Sequence, residues 1–410
     1  MADARKVITT GMLTVYFILG VIIIRCNVNC LQCLSQNNQP VDWYIAYKLP
    51  YSQKNVHHDS FFYMDAKSTE WIFSNKTMKE NDQAISNTLD QIYKTSSENS
   101  GFNLPDILYL MYNDQPSTAD KSRLRPNNIL KGHTKGNLER KCSGFNLLDT
   151  LYLMYNDQCP AVDKSRHRSN YILKGHTKSV IGFDREKGFW LIHSIPRFPP
   201  KRTRGYSLQD HTWGQTILCI SMAADTNLDQ IGVQLLYNYP HIYDQNLPQF
   251  FASKFPNIAS AMKGKHVTGE KCKEVKLSSL NGVAFHSFAK SNYFNQDLYK
   301  DLLAQRFESS LLVQSWQSGG GGKMVSNCTG NYEVLNIENM AFPQPKILYK
   351  STTDHSKWAV TKATSTHIWT CIGDINRMES QKKRGGGAVC FQNKRVWENF
   401  KTLIKSYQPC

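Results

Sequence analysis

Beyond its first apolar stretch the chain has no second hydrophobic run long enough to span a bilayer, so at most one helical membrane crossing is open to it. Zinc-ligand spacing is lacking as well. Cys26, Cys30 and Cys33 have neither a nearby histidine nor a second Cys-x-x-Cys beside them, which argues against a structural zinc site there. Acidic residues are scarce, with 33 Asp and Glu against 49 Lys and Arg, for a formal net charge of +16. A balance this basic favours polyanionic partners, either nucleic acid or an anionic membrane surface. The plainer alternative is the unspecific basicity of many secreted proteins. An internal repeat is present, but no third copy of it, and that excludes a solenoid, which needs about three or more copies to bury a continuous core.

What is present is enough for two domains or one large one: 410 residues, 40% hydrophobic and 11% aromatic. The first 30 residues read as a signal peptide, with Arg5 and Lys6 ahead of an apolar region from Ile8 to Ile24. That region is long for a cleaved leader, so an uncleaved anchor is the competing reading. Two N-glycosylation sequons, at Asn75 and Asn327, fit a secretory route. In an oxidising compartment most of the 11 cysteines should pair, and an odd count leaves at least one without a partner in the chain.

The repeat runs from Gly101 to Lys135 and again from Gly144 to Lys178. Both copies carry Leu-Tyr-Leu-Met-Tyr-Asn-Asp-Gln, then Asp-Lys-Ser-Arg, then Ile-Leu-Lys-Gly-His-Thr-Lys. Two copies cannot fill one strand slot, so one is expected in the sheet and the other looped out. The second is the better fit for the slot. After His176-Thr177-Lys178 it continues into Ser179–Asp184, a turn at Glu186-Lys187-Gly188 and Gly188–Pro196, a strand pair. The first copy runs into a polar segment with no partner strand.

Elsewhere, Val41–Pro50 and Phe61–Met64 read as strands, and Ala84–Tyr93 as a helix within an otherwise polar stretch from 66 to 100. Residues 226–263 read as mostly helical, with a proline-containing break. Gly282–Lys290, Leu311–Trp316, Tyr332–Met340 and His355–Val360 read as strands, Asp297–Arg306 and Arg395–Tyr407 as helices. Strands alternating with helices argue for an α/β fold with a layered sheet.

The chemistry concentrates in His-x-Lys pairs: His133/Lys135, His176/Lys178 and His355/Lys357. On an extended strand, residues two apart share a face, so the imidazole can attack or donate a proton while the ammonium holds an anion. The bland alternative is exposed loop histidines beside solvated lysines. The basic loops Lys201-Arg202-Thr203-Arg204 and Lys382-Lys383-Arg384 could track a phosphate backbone, or be solvated surface charge.

Several long motifs carry a resemblance: Met-Tyr-Asn-Asp-Gln, Gly-His-Thr-Lys, Gly-Phe-Trp-Leu-Ile-His-Ser-Ile-Pro-Arg-Phe-Pro-Pro, Asp-His-Ser-Lys-Trp, Trp-Thr-Cys-Ile-Gly-Asp-Ile-Asn-Arg and Arg-Gly-Gly-Gly. From about Leu31 to Cys410, outside the duplication, the chain resembles the deoxyribonuclease II family. The resemblance implies a lysosomal or secreted acid endonuclease that acts on DNA, needs no divalent metal or other cofactor, and leaves 3′-phosphates. It implies a fold of two phospholipase D-like halves (31–225 and 226–410), each a β-sheet flanked by helices, forming a pseudo-dimer around one site. It carries catalytic roles onto His176, Lys178, His355 and Lys357, and a phosphate contact onto Asn376. Separately, His193, beside Ser194 and Pro196, is a further candidate for a phosphate contact, the alternative being a packed strand-end histidine. The resemblance also implies disulfides Cys33–Cys219, Cys328–Cys410 and Cys371–Cys390, and no stable membrane association once the leader is removed. The chain departs from the pattern in three ways. No acid closely follows Lys357, which leaves Asp354 to orient His355 and Asp184 to serve the first motif. Ala359 stands where the family has cysteine, and the duplication is extra.

Metal-free phosphodiester cleavage needs a nucleophile, a proton donor and cations on the non-bridging oxygens. Two histidines and two lysines supply all three, and the residues alone do not say which histidine attacks. Two alternatives stand: a catalytically inactive secreted nucleic-acid-binding homologue, and a phospholipase D-like hydrolase, which calls for an apolar rim that the sequence does not clearly provide.

Overall fold

The computed structural model describes residues 31–51, 56–57, 59–93, 110–111, 151–156, 174–209, 212–362 and 368–410. The expected signal peptide, most of the first repeat copy with His133 and Lys135, and both Cys142 and Cys159 lie outside the described residues.

The described chain builds two nine-stranded sheets with helices packed on them, a mixed α/β fold. The first sheet uses β1 (Trp43–Lys48), β2 (Ser60–Asp65), β3 (Ile72–Thr77), β4 (Leu110–Met111), β5 (Leu151–Asn156), β6 (Ser179–Phe183), β7 (Lys187–His193), β8 (Gln215–Ala223) and β9 (His241–Asn246). Its order is β3-β2-β1-β8-β7-β6-β4-β9-β5. The second uses β10 (Cys272–Ser278), β11 (Ala284–Lys290), β12 (Leu311–Gln314), β13 (Val334–Phe342), β14 (Ile347–Lys350), β15 (Trp358–Thr361), β16 (Thr370–Gly373), β17 (Gly386–Phe391) and β18 (Ile404–Tyr407). Its order is β10-β11-β17-β16-β15-β12-β13-β14, with β18 on β13. Among the described strand ladders only β12 with β13 is parallel; an isolated bridge between Gly214 and Asp354 is parallel as well.

The central strands read as continuous apolar and aromatic runs because both faces are covered. Every residue of β1, β2 and β6 is buried. One core joins the sheets: Trp43 of β1 meets Phe391 of β17 at 5.5 Å between ring centroids, and Phe62 of β2 stacks on Phe342 of β13 at 3.9 Å. Burying a phenylalanine-sized side chain contributes about 1.5–3 kcal/mol, so these aromatics help hold the two sheets together. Helix α1 (Ala84–Tyr93) covers the first sheet, as its expected bounds required. Helix α2 (Ala224–Asn238) lies against β7 and β8 of one sheet and β10 and β11 of the other. Its C-terminal end is therefore placed at the seam between them.

Several expectations give way to long-range contacts. Edge strand β3 occupies part of the polar 66–100 stretch. Strand β9 interrupts the expected helical region just after Pro240, which cannot continue α2. Because β9 pairs with the first sheet, the change of sheet falls after Asn246 rather than at 225. The expected helix at Asp297–Arg306 does form, as a π-helix at Leu298–Leu303 that runs into one α-helical turn, Ala304–Phe307.

The repeat meets the sheet in two places rather than one. Met111 of the first copy stands opposite Val180 and Asp244, and Met154, its equivalent in the second copy, also stands opposite Asp244. Both copies thus converge on one register between β6 and β9. The second copy holds it with a six-residue strand, the first with two residues, so the first copy is not wholly looped out.

Candidate active site

Both described His-x-Lys pairs sit immediately ahead of a strand rather than on one, since β6 starts at Ser179 and β15 at Trp358. A shared strand face therefore does not set their geometry. At the two histidines the backbone amide is engaged by the opposite half instead of by a ladder neighbour. The His176 amide donates to the Gly385 carbonyl at 2.7 Å, and the His355 amide donates to the Gly214 carbonyl at 2.9 Å. Each histidine stands on one half and is held at its backbone by the other.

Glycines make the first of these approaches feasible. A Cβ on Gly175 would lie 1.8 Å from the Asn238 carbonyl oxygen at the end of α2, and one on Gly385 would lie 2.5 Å from the same atom. No side chain fits at either place. That is why Gly-His-Thr-Lys and Arg-Gly-Gly-Gly both carry glycine where they meet. Arg384 closes the joint, with Nε donating to the Lys174 carbonyl at 3.2 Å and a terminal nitrogen to the Gly175 carbonyl at 3.1 Å.

His176 is buried among cations. Its Nδ1 lies 2.5 Å from the Asp374 carbonyl oxygen. A carbonyl can only accept, so Nδ1 carries the hydrogen and, in the neutral ring, Nε2 keeps its lone pair. Burial first, then Lys178, Arg384 and Lys357, hold its pKa well below the usual imidazole range, against the Asp374 hydrogen bond. Lys178 and Lys357 are themselves 2% and 3% exposed, too little for solvated surface lysines. Lys357 Nζ donates to the His355 carbonyl at 2.5 Å, and the Gly373 amide donates to the Lys357 carbonyl at 2.9 Å. A continuous path thus runs from His355 through Lys357 and Gly373 to Asp374 and His176.

Asp374 is the hub of that path, and nothing in its local sequence marked it as one. Its carboxylate accepts from the Gly387 amide at 2.8 Å and from the Thr177 side chain. Burial pushes its carboxyl up to about 6, opposed by those hydrogen bonds and by Lys178 and Lys357. A cavity of about 20 Å³ lies at this seam, lined by Thr177, Lys178, Gly373, Asp374 and Gly387 among others. That is room for about one water-sized group.

His355 has different company. Its ring is parallel to the Trp213 indole, with centroids 4.9 Å apart and planes 4° apart, and Trp316 closes on it at 4.2 Å. Trp213 comes from the first half and Trp316 from the second. Asp354 uses its carboxylate elsewhere, accepting from Tyr47 Oη at 2.5 Å and from the Ser356 amide at 2.8 Å. It fixes the loop that carries His355. Asp184 takes no part in the site: it accepts from the amides of Glu186 and Lys187 and so builds the β6–β7 turn.

Asn376 is buried, and its Oδ1 has no hydrogen-bond partner among the described residues, so this amide is not committed to the fold. The adjacent Arg377 is pinned by Asp297 at 2.9 Å and Asn336 at 2.5 Å, which fixes the backbone beside it. His193 is fully buried on β7, edge-on to Phe198, and its amide donates to the Lys178 carbonyl at 3.2 Å. The basic loops are partly spent on structure. Arg384 bonds across the seam, and Arg202 donates through its amide to Asp244 and through Nε to the Ile92 carbonyl.

The three disulfides form, Cys33–Cys219, Cys328–Cys410 and Cys371–Cys390, and Cys272 is a free thiol. Among the described residues one set of potential metal ligands lies close together, Cys328, Glu333 and Cys410, and its two sulfurs are bonded to each other. No described helix is long and apolar enough to cross a membrane.

The deoxyribonuclease II family matches residues 32–147 and again residues 139–410. The two matches meet at the junction of the repeat copies, as they should if the family carries that segment once. Plancitoxin-1 of Acanthaster planci is 37% identical over 388 residues, covering 93% of this chain and 92% of its own. Deoxyribonuclease-2-alpha of Mus musculus is 34% identical, with 93% and 94% covered. The Sus scrofa protein of the same name is 35% identical, with 93% and 92% covered.

Proposed function

The chain belongs to the deoxyribonuclease II family of nuclease hydrolases, and from that premise we propose that it cuts DNA in acid, without metal, by a two-histidine mechanism that leaves 3′-phosphates. The observation that carries this reading is the convergence of His176, Lys178 and Lys357, from both halves, around Asp374.

The roles follow from the surroundings. His176 is the nucleophile: its depressed pKa keeps the ring neutral in acid, and its Nδ1–H bond to Asp374 leaves the Nε2 lone pair to attack phosphorus. His355 is the proton donor, because the parallel face of the Trp213 indole attracts an imidazolium, the form in which a donor must start. In the first step the His176 Nε2–P bond forms, the P–O5′ bond breaks, and His355 gives its proton to O5′. In the second, His355 takes a proton from water as the water oxygen attacks phosphorus, and the P–N bond breaks to release the 3′-phosphate. Lys178, Lys357 and the Asn376 amide stabilise charge on the non-bridging oxygens. His193 backs Lys178 from β7. The two sheets act as the paired phospholipase D-like halves, with the change from one to the other after Asn246. The first 30 residues serve as the signal, Asn75 and Asn327 carry glycans, and the enzyme works in the lysosome or after secretion.

The test is plasmid nicking at pH 5 with chelator present, followed by end-group analysis. The full chain should nick and leave 3′-phosphates, and His355→Ala should not. Cutting abolished by the chelator, or retained at the parent rate in His355→Ala, would overturn the reading. A version lacking 101–143 belongs in the same assay. If it alone cuts, the extra copy is an inactivating insert. If neither cuts and both bind DNA, the inactive binding homologue replaces the enzyme.

A further inference from the structure

Lys290, the last residue of β11, is completely buried. Its Nζ donates to three backbone carbonyls in one stretch: Gln381 at 2.9 Å, Lys382 at 2.9 Å and Arg384 at 2.5 Å. These are the carbonyls of a short helix end and the turn after it, where acceptors lack intrahelical donors. The next residues in that turn are the ones that meet His176. Gly385 accepts from the His176 amide, and the Arg384 guanidinium reaches the Lys174 and Gly175 carbonyls. The Lys290 backbone also stands opposite Gly386 in the β11–β17 ladder, so backbone and side chain grip the same turn from two directions.

The geometry points to Lys290 as a positioning residue for His176, acting through the Arg384-Gly385-Gly386-Gly387 turn. It touches neither the histidine nor any group assigned to phosphate. Its effect is to fix the acceptor that fixes the histidine backbone. A buried ammonium is costly, and a leucine or methionine would fill the same space at no such cost. Burial pushes its pKa down to about 7, with Asp374 and Asp297 resisting the fall and Arg384 adding to it. The charge that makes all three bonds is therefore present in acid and is lost as the pH rises through about 7. The grip is strongest in the pH range where the proposed chemistry runs.

This inference rests on the proposed roles for its kinetic arm only, and the test has a second arm that needs no activity. Lys290→Met in the full chain keeps the stem and removes the donors. Hydrogen–deuterium exchange at pH 5, with fragmentation that isolates single amides, should show the His176 amide exchanging about 10-fold faster or more while the His355 amide is unchanged. Plasmid-nicking kinetics should show kcat down roughly 30- to 100-fold, the loss expected for misplacement of about 1 Å, with KM changed less than about threefold. Adding Arg384→Met to Lys290→Met should cost less than the two single losses combined, because both act on one turn. Unchanged His176 exchange, equal loosening at His355, or fully additive losses would overturn the assignment. If Lys290→Met does not fold, Lys290→Gln, which keeps two donors, carries the same comparison. If the parent chain does not cut DNA, the proposed function fails and the exchange arm still decides the matter.

Discussion

His176 and His355 share a signature, a position and a mode of support, yet their surroundings are opposite. Each precedes a strand, each has a lysine two residues on, and each has its amide held by a carbonyl of the other half. Around His176 the protein places Lys178, Lys357 and Arg384. Around His355 it places Trp213 and Trp316. Cations repel a proton and indole faces attract one. On the proposed mechanism, two copies of one motif then serve as base-form nucleophile and acid-form donor through their neighbours rather than through the motif.

The largest expected effect tests that division directly. With DNA, His176→Asn and His355→Asn should each lose at least about 10³-fold in kcat, the range for removing a nucleophile or a general acid. A nucleoside 3′-phosphate esterified to p-nitrophenol has a leaving group that needs no proton. On it the first-turnover burst of p-nitrophenol from His355→Asn should recover to within about 10-fold of the parent, while the later turnovers stay slow for want of the base that activates water, and His176→Asn should give no burst. Recovery of His176→Asn instead would exchange the two roles.

The next effect concerns the hub between the histidines. Asp374 has a folded pKa near 6, raised by burial, so its contribution to stability is present below the ordinary carboxyl range and is lost as the pH rises through about 6. Asp374→Asn keeps an acceptor for the Gly387 amide but does not titrate. The stability of the variant relative to the parent should therefore rise by roughly 3 kcal/mol between pH 3 and pH 7, a shift of about two units at 1.36 kcal/mol each. Chemical denaturation at the two pH values measures it, and a pH-independent difference would show that the carboxyl titrates normally. His176 works in the other direction. Its contribution is present above the ordinary imidazole range and is lost as the pH falls through its depressed value, so the fold should be bounded in acid from that side.

The smallest effect tests the indole side. Trp213→Leu keeps an apolar side chain and removes the parallel π face. Removing a cation–π contact of about 1 kcal/mol should move the alkaline limb of the pH–rate profile down by roughly 0.5–1 unit, with the acid limb unmoved. A shift of the acid limb instead would attach Trp213 to the nucleophile.

Much of the frame was legible in the residues. Strand β1, helix α1 and the β6–β7 hairpin announce themselves through aromatic and β-branched runs and a glycine turn, all local signals. Edge strand β3 and strand β9 were not legible, since both are only partly buried and largely polar, and their identity comes from their partners. The His-x-Lys pairs were visible as motifs, but their geometry was not, because it depends on carbonyls from the opposite half. Trp213, Trp316, Asp374 and Lys290 carried no local signal. Lys290 meets its acceptors 91 to 94 positions away, and no spacing rule spans that distance. Glycine in Gly-His-Thr-Lys and Arg-Gly-Gly-Gly was the one available hint, since it marks places where backbones must touch.

The crossed amide bonds make the site a lock with two keys, each cut on one piece and turned by the other. A fragment ending near the change of sheet would carry His176 without the carbonyl that seats it, and its complement would carry His355 in the same condition. Neither piece could be borrowed as a working module, and a single nick that let them part would silence both at once. Two inert pieces that recovered cutting on mixing would, by the same logic, report their own reunion.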